Sequence, residues 1–340
     1  MKRRSMRRRV GVIMGGSASE RDASLRAGHA VAEALSALGH EVVRISLGDG
    51  VGPDLWSSIQ RARIDVAFLA LHGRMGEEGN VQGLLELARI PYTGSSVLAS
   101  ALATDKLKAK EMFRLHNVPT PPYYTIDVAD DLSDLDNVHG SFGFPAVVKP
   151  RAEGDSLGIS RVNTMDELRL ALQKAFEYDD VALVERFVTG VEINVAILDG
   201  EVLGAIEVAP SSAMFVNNAA PQKVDFALSP QRERNVLNLA ERAARALGCK
   251  GAVRVDLVVT PGENEYVLEV NTLPSLAPEG LFAGAAAAKG HDFGSLCEVI
   301  LDGAHLSQPA RRRPQVEPVG HGVFRQANAA APVVMMKSVG

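Results

Sequence analysis

Val253-Arg254-Val255-Asp256-Leu257, followed beyond a turn by Val267-Leu268-Glu269-Val270-Asn271, decides how this chain is read. Both runs alternate apolar and polar residues. A strand's side chains repeat every two residues, so Val253, Val255 and Leu257 share one face while Arg254 and Asp256 share the other. Glu269 and Asn271 likewise share a face. Between the runs, Thr260-Pro261-Gly262-Glu263-Asn264 is a turn signal. A hairpin would therefore gather Arg254, Asp256, Glu269 and Asn271. Two carboxylates and an amide oxygen are hard ligands that suit a magnesium ion already holding phosphates. The adjacent guanidinium suits negative charge developing in a transition state. The plainer alternative is an exposed polar hairpin face carrying a surface ion pair.

The 340 residues suffice for two or three compact lobes. A hydrophobic content of 46% with 5% aromatics fits an ordinary enzyme rich in small aliphatics. Cys249 and Cys297 offer neither a disulfide framework nor metal-site spacing, which points to a reducing, cytoplasmic setting. No apolar run approaches the ~18 residues that span a bilayer. Charge is uneven. Residues 1–9 and 307–340 hold eleven basic residues and one acid, out of 36 and 41 in the whole chain; the remainder has 25 and 40, a surplus of 15 negative charges. Such a body argues against nucleic acid as a partner. Residues 1–9 read as a basic disordered leader, with Met6 a candidate start, and 307–340 as a disordered tail rich in Pro, Ala and Arg.

Upstream of the hairpin, strands alternate with helices. Residues 10–14 are a buried strand, and Gly15-Gly16-Ser17 a tight turn. Ser19-Glu20-Arg21-Asp22 has the form of a capping box. The helix that follows carries Leu25, Val31, Leu35 and Leu38 as its apolar stripe and stops at Gly39. A strand over 41–46, a helix over 54–63 and a buried strand over 66–71 complete a Rossmann-like parallel sheet. Its ligands would collect at the carboxyl ends of the strands, around 15–20 and 71–79. The Gly-Gly turn lacks the three-glycine spacing of a dinucleotide site. A new segment opens at Thr104-Asp105-Lys106 with a helix over 107–116, then a proline-marked linker. A strand ending in Lys149, the loop Glu153-Gly154-Asp155-Ser156-Leu157-Gly158 and a strand over 159–162 follow. A helix over 166–176 starts at a second capping box from Thr164. A strand-end lysine beside a glycine-bearing loop can hold phosphates, although it can equally be a surface lysine beside a hairpin turn. The run from Val181 to Val188 could offer backbone groups to adenine, and Glu192 could accept from ribose; alternatively this is a core strand with a satisfied acid at its end.

Order and spacing then converge. The chain resembles the D-alanine–D-alanine ligase family, carboxylate–amine ligases of the ATP-grasp fold, from about Val10 to Leu306. The residues carrying the resemblance are Gly15-Gly16-Ser17 through Glu20-Arg21, Ala70-Leu71-His72-Gly73-Arg74-Met75-Gly76-Glu77-Glu78-Gly79, Pro91-Tyr92-Thr93-Gly94-Ser95, Thr104-Asp105-Lys106-Leu107, Val148-Lys149-Pro150, Leu247-Gly248-Cys249-Lys250-Gly251, Arg254-Val255-Asp256 and Glu269-Val270-Asn271-Thr272.

The resemblance implies an α/β fold in three segments: an N-terminal substrate domain (10–104), a central ATP-grasp lobe (105–190) and a C-terminal ATP-grasp lobe with the metal site (191–306). It implies ATP-dependent joining of two D-alanines through an acyl phosphate, for peptidoglycan precursors. ATP would be a co-substrate with two Mg2+ or Mn2+ ions, and the enzyme a homodimer acting on small amino acids. Lys106 and Lys149 match lysines on ATP phosphates, with Glu153, Gly154 and Ser156 in the phosphate loop. Residues 185–188 (Glu185, Arg186, Phe187 and Val188) match the adenine segment, and Glu192 the ribose acid. Asp256, Glu269 and Asn271 match the metal ligands. Glu20 matches the acid on the first substrate's ammonium group, Arg254 the guanidinium at the reaction centre, and His72 the loop beside it. The acceptor side departs from the family. Asp155 stands where a serine is usual. Residues 210–223 lack the usual tyrosine and acid, with Lys223 the candidate lysine. Gly280, next to Leu281, stands at the position of the serine that takes the second carboxylate, and Ser275 replaces a glycine. The implied function is D-alanine–D-alanine ligation. The alternatives are the same chemistry on another amino- or hydroxy-acid pair, or a silent nucleotide-binding homologue, against which the intact Lys149, Arg254, Asp256, Glu269 and Asn271 count.

Overall fold

The computed structural model describes residues 7–16, 20–47, 53–74, 76–154, 156–208, 228–262 and 264–307. In chain order, the first part holds β1 (Arg9–Gly15), α1 (Arg21–Ala37), β2 (Glu41–Leu47), α2 (Pro53–Ala62), β3 (Val66–Leu69), α3 (Asn80–Ala88), α4 (Val97–Thr104) and α5 (Lys106–Leu115). Next come β4 (Tyr123–Asp127), α6 (Leu135–His139), β5 (Ala146–Pro150), β6 (Ser160–Val162), α7 (Met165–Phe176) and β7 (Val181–Arg186). The last part is β8 (Val191–Leu198), β9 (Glu201–Glu207), α8 (Pro230–Ala246), β10 (Ala252–Val259), β11 (Glu265–Asn271), α9 (Leu281–Ala288) and α10 (Phe293–Asp302).

These strands form three sheets, ordered β2-β1-β3, β4-β7-β5-β6 and β11-β10-β8-β9. The first is parallel throughout, as βαβ alternation requires. The other two are antiparallel. Residues up to Ser307 make one compact unit. One of its apolar clusters joins the two ends of the chain: Val10, Val31 and Leu35 of the first sheet layer pack with Phe282, Leu296 and Ile300. β5 is buried at all five positions because it is paired on both sides and covered by α7. Its sequence is accordingly apolar up to Lys149.

Local chemistry sets the helix ends. α1 closes with Gly39 at φ 96, Gly39 N–H donating to Ser36 O and His40 N–H to Leu35 O. This is the paired bond pattern of a glycine-terminated helix. Leu38, expected on the apolar stripe, sits at this C-cap and is 51% exposed; Ala27, Gly28 and Ala32 join Val31 and Leu35 inside instead. The helix begins one residue after Glu20, whose side chain makes no capping bond, and Ser19 lies outside the described residues. α5 is capped by Asp105, whose carboxylate accepts from Lys108 N–H, and α7 by Thr164.

The leader needs correction. Arg9 opens β1, where its N–H donates to Asp65 Oδ2 (2.8 Å) and its side chain pairs with Glu41 (2.5 Å). Arg8 N–H donates to His40 Nδ1, and its guanidinium pairs with Asp302. These two arginines belong to the folded body because acids and carbonyls wait for them there. Residues 1–6 and 308–340 lie outside the described residues.

Candidate active site

The hairpin of β10 and β11 aligns Arg254 with Asn271 and Asp256 with Glu269, and a bulge follows Asp256. All four polar side chains therefore rise from one face, as alternation predicts. The Arg254 guanidinium grips Asp256 with two bonds, Nε to Oδ1 at 2.8 Å and Nη2 to Oδ2 at 2.9 Å. Asn194 of β8, directly across from Asp256, donates to Oδ1 at 2.7 Å. Lys106 Nζ donates to Glu269 Oε2 at 3.1 Å, and Arg254 Nη2 lies 3.8 Å from Glu269 Oε1. Asn271 Oδ1 accepts from Leu273 N–H at 2.8 Å. Lys106, then burial's opposing push, then Arg254 and Lys149 leave the Glu269 carboxyl at about 2. Burial raises Asp256, with Arg254 pulling the other way. The guanidinium is held charged against burial, chiefly by Asp256.

This donor set fits a hard divalent ion. Asp256, Glu269 and Asn271 all offer oxygens; Asp256 Oδ1 is filled by Arg254 and Asn194, but Asp256 Oδ2 and both Glu269 oxygens keep a lone pair beyond the bonds they accept. The cations now beside them show that the face tolerates concentrated positive charge.

Two further lysines, Lys149 and Lys110, are buried. Lys149, at the end of β5, donates to Glu185 Oε2 at 2.9 Å. Lys110, one turn after Lys106 on α5, lies 3.2 Å from Glu185 Oε1. Burial lowers Lys110 to about 8 against the opposing pull of Glu185. For Lys149, burial would lower the ammonium, but Glu185 and Glu269 outweigh it and raise it. The Glu185 side chain is thus turned inward onto two lysines, so only its backbone is left to face a base. Phe187 and Val188 are half-buried and Arg186 exposed. Arg161 stacks over the Phe187 ring at 4.0 Å. Glu192 is the second residue of β8; burial, then Asp256 and Glu269, push its carboxyl up to about 7.

Glu20, His72, Lys106, Glu153, Gly154, Arg254, Glu269 and Asn271 line a single cleft. Glu20 and His72 reach it from the segments after the carboxyl ends of β1 and β3, which Gly16 and His72 bridge, as expected for parallel-sheet ligands. His72 Nδ1 pairs with Leu273 O at 3.0 Å, tying the first sheet to the hairpin. Arg74 reaches across to Glu153 at 2.5 Å and so fixes the start of the glycine loop. Ser156 follows in the left-handed region, at φ 59. Gly280 caps α9 and Leu281 begins it, but neither lines the cleft; Ser275 and Thr272 do. Asp155 and Lys223, with all of 210–223, fall outside the described residues. Sequence reasoning gave no role to Glu77, a cleft residue whose carboxyl burial raises to about 7. It also missed Asn194 and Lys110. Glu77 stood within a quoted motif, whereas Lys110 had only its spacing of four from Lys106 to mark it.

The chain is similar to known proteins in both sequence and structure. The D-ala D-ala ligase N-terminus family model matches residues 52–95, and the D-ala D-ala ligase C-terminus model matches 112–302. A D-alanine--D-alanine ligase of Geobacter sulfurreducens is 45% identical over 305 residues, covering 88% of this chain and 94% of its own. One from Anaeromyxobacter dehalogenans is 43% identical over 309 residues, covering 88% and 97%. Among solved structures, a Bacillus anthracis D-alanine--D-alanine ligase complexed with ATP superposes with a TM-score of 0.75 at 33% identity, covering 88% of this chain and 96% of that one. The VanG D-Ala:D-Ser ligase of Enterococcus faecalis gives 0.76 at 25% identity, covering 87% and 99%. With a family model spanning more than half its length, and relatives this similar along nearly all of theirs, the chain belongs to the D-alanine–D-alanine ligase family.

Proposed function

We propose that the protein is an ATP-dependent ligase that joins two D-alanines, supplying a peptidoglycan precursor. The observation that carries this is the convergence of Lys106, Arg254, Glu269 and Asn271 with Glu20 and His72 in one cleft. Cations for a polyphosphate, oxygens for a metal ion and an acid for an ammonium group lie together there. The carboxylate of the first amino acid attacks the γ-phosphorus, ADP leaves, and an acyl phosphate forms. The amine of the second attacks the acyl carbon and expels phosphate. Such transfers need positioning and charge neutralisation more than a strong protein base.

Glu20 takes the first substrate's ammonium, and His72 lies beside it. Lys106, Lys149, Glu153, Gly154 and Ser156 position the phosphates, and Arg254 meets the charge on the tetrahedral centre. Backbone groups of 185–188 face adenine, and Glu192 faces ribose. Asp256, Glu269 and Asn271 would hold Mg2+ or Mn2+, two ions in all, which when bound would offset charge on the bridging phosphates. The segments 10–104, 105–190 and 191–306, each with its own sheet, serve as substrate, central and metal-binding parts. Cytoplasmic action as a homodimer belongs to the same reading; no described helix is long and apolar enough to cross a membrane, and sedimentation velocity tests the dimer.

A second reading, D-alanine joined to another acceptor, is favoured by Ser275 in the cleft and Gly280 outside it. A coupled ADP-release assay across D- and L-amino-acid pairs separates the two. Turnover highest with D-alanine alone supports the first; a preference for a mixed pair supports the second. ATP turnover that never responds to D-alanine overturns both.

A further inference from the structure

Lys110 is 1% exposed, the most buried cation on α5, and it does not line the cleft. Its Nζ donates to Thr120 Oγ1 at 2.6 Å and approaches Glu185 Oε1 at 3.2 Å. The other oxygen of Glu185 takes Lys149 Nζ at 2.9 Å. One carboxylate, itself 2% exposed, thus serves two ammonium groups. The three-group cluster carries one positive charge in excess. Burying charge is costly, and an apolar side chain of equal length at position 110 would avoid that cost. A simple structural pair would need only one lysine. The second calls for a use, and the partner it shares is the one held by Lys149.

We propose that Lys110 is a positioning residue for the nucleotide: by sharing the Glu185 carboxylate, it keeps Lys149 from being neutralised and so leaves that ammonium positive towards a polyphosphate. This rests on the reading of Lys149 as a phosphate lysine. Without Lys110, Glu185 and Lys149 form a private pair of zero net charge in a poorly screened site, and a phosphate must compete with the carboxylate. With it, Glu185 keeps a counter-ion whichever partner Lys149 takes.

The test compares Lys110→Met, Lys110→Arg, the double variant Lys110→Met/Glu185→Gln, and Lys149→Ala as reference. Each is assayed for KM of ATP and of D-alanine, and for calorimetric affinity for a non-hydrolysable ATP analogue. Lys110→Met is expected to raise the ATP KM and the analogue Kd at least tenfold, with the D-alanine KM within twofold. Lys110→Arg, which keeps the charge, stays within threefold of the parent. The double variant binds the analogue better than Lys110→Met does, because the carboxylate bonded to Lys149 is gone. A merely structural lysine would give no such recovery. Unchanged analogue binding in folded Lys110→Met, no recovery in the double variant, or equal rises in both KM values would overturn the proposal. If Lys110→Met loses its cooperative melt, Lys110→Gln carries the same expectation. If Lys149→Ala binds the analogue normally, the phosphate reading itself fails; if only Lys149→Ala is impaired, the role of Lys110 alone fails.

Discussion

Replacing Glu269 with glutamine separates the chemistry of the hairpin face from its contribution to the fold. The side chain keeps its size and loses its charge. In the protein it accepts from Lys106 at 3.1 Å and lies 3.8 Å from Arg254, and Lys106 above all holds its carboxyl near 2, against 4.5 for a free glutamate. In an unscreened site that difference corresponds to roughly 3 kcal/mol of stability. The side chain is, however, 36% exposed to the cleft, and water there brings the figure towards about 1 kcal/mol. Glu269→Gln should therefore melt only about 2–4 °C below the parent. The charge term is complete above pH 4.5 and is lost as the pH falls from there towards 2, so in metal-free buffer the two proteins should converge in stability in acid. Turnover behaves differently. Without this carboxylate the face would hold a divalent cation less well, so less positive charge would offset the phosphates, and kcat should fall by about a thousandfold, worth about 4 kcal/mol. Circular-dichroism melts and coupled ADP release measure the two quantities on one preparation. A folded variant with kcat within tenfold of the parent would refute the assignment of this face to metal and phosphate.

Lys149→Ala should raise the ATP KM or lower kcat by at least tenfold, since it removes a cation from beside a polyanion; unchanged values in steady-state assays would remove Lys149 from the phosphate site. Truncation through Arg9 should cost about 2–4 kcal/mol in urea unfolding, because it deletes the first residue of β1 together with the Arg8–Asp302 and Arg9–Glu41 pairs, whereas truncation through Met6 should leave the midpoint unchanged. Gly251→Ala should destabilise by about 2–4 kcal/mol, since φ is +68° and a Cβ would meet Gly94 Cα at 2.7 Å; a melt within 1 °C of the parent would show that the Gly94 loop yields.

What was legible in the sequence followed from local repeats. Alternation fixed the shared face of Arg254, Asp256, Glu269 and Asn271, because a two-residue period leaves each strand only two faces. The βαβ order likewise dictated a parallel first sheet. What escaped depended on distance along the chain. Lys110 meets Glu185 across 75 positions, and on a helix with Lys106, Lys108 and Glu111 it looks like one more solvated lysine. Only tertiary packing shows which of these charges turns inward. Glu185 was placed correctly on its strand, yet its carboxylate proved to face two lysines, since a strand pattern says which face a residue takes but not what waits there. Leu38 failed for a local reason: the glycine that stops α1 turns the chain before that leucine can reach the core.

The superpositions bear on substrate choice in a specific way. The VanG D-Ala:D-Ser ligase and the Bacillus anthracis D-alanine--D-alanine ligase match this chain with TM-scores of 0.76 and 0.75, so the scaffold itself does not distinguish the acceptor. Discrimination must come from the few side chains that touch it. Pockets distinguish small substrates most strongly through buried polar groups that one substrate satisfies and another leaves unpaired. In this cleft the segment after β11 supplies such groups, Thr272 and Ser275, which line it together with His72 and Glu20. The residues proposed for phosphate and metal sit on β5, α5 and the hairpin, tied to one another by ion pairs. On the proposed assignment, Thr272 and Ser275 can therefore change without removing any of the groups proposed for phosphoryl transfer.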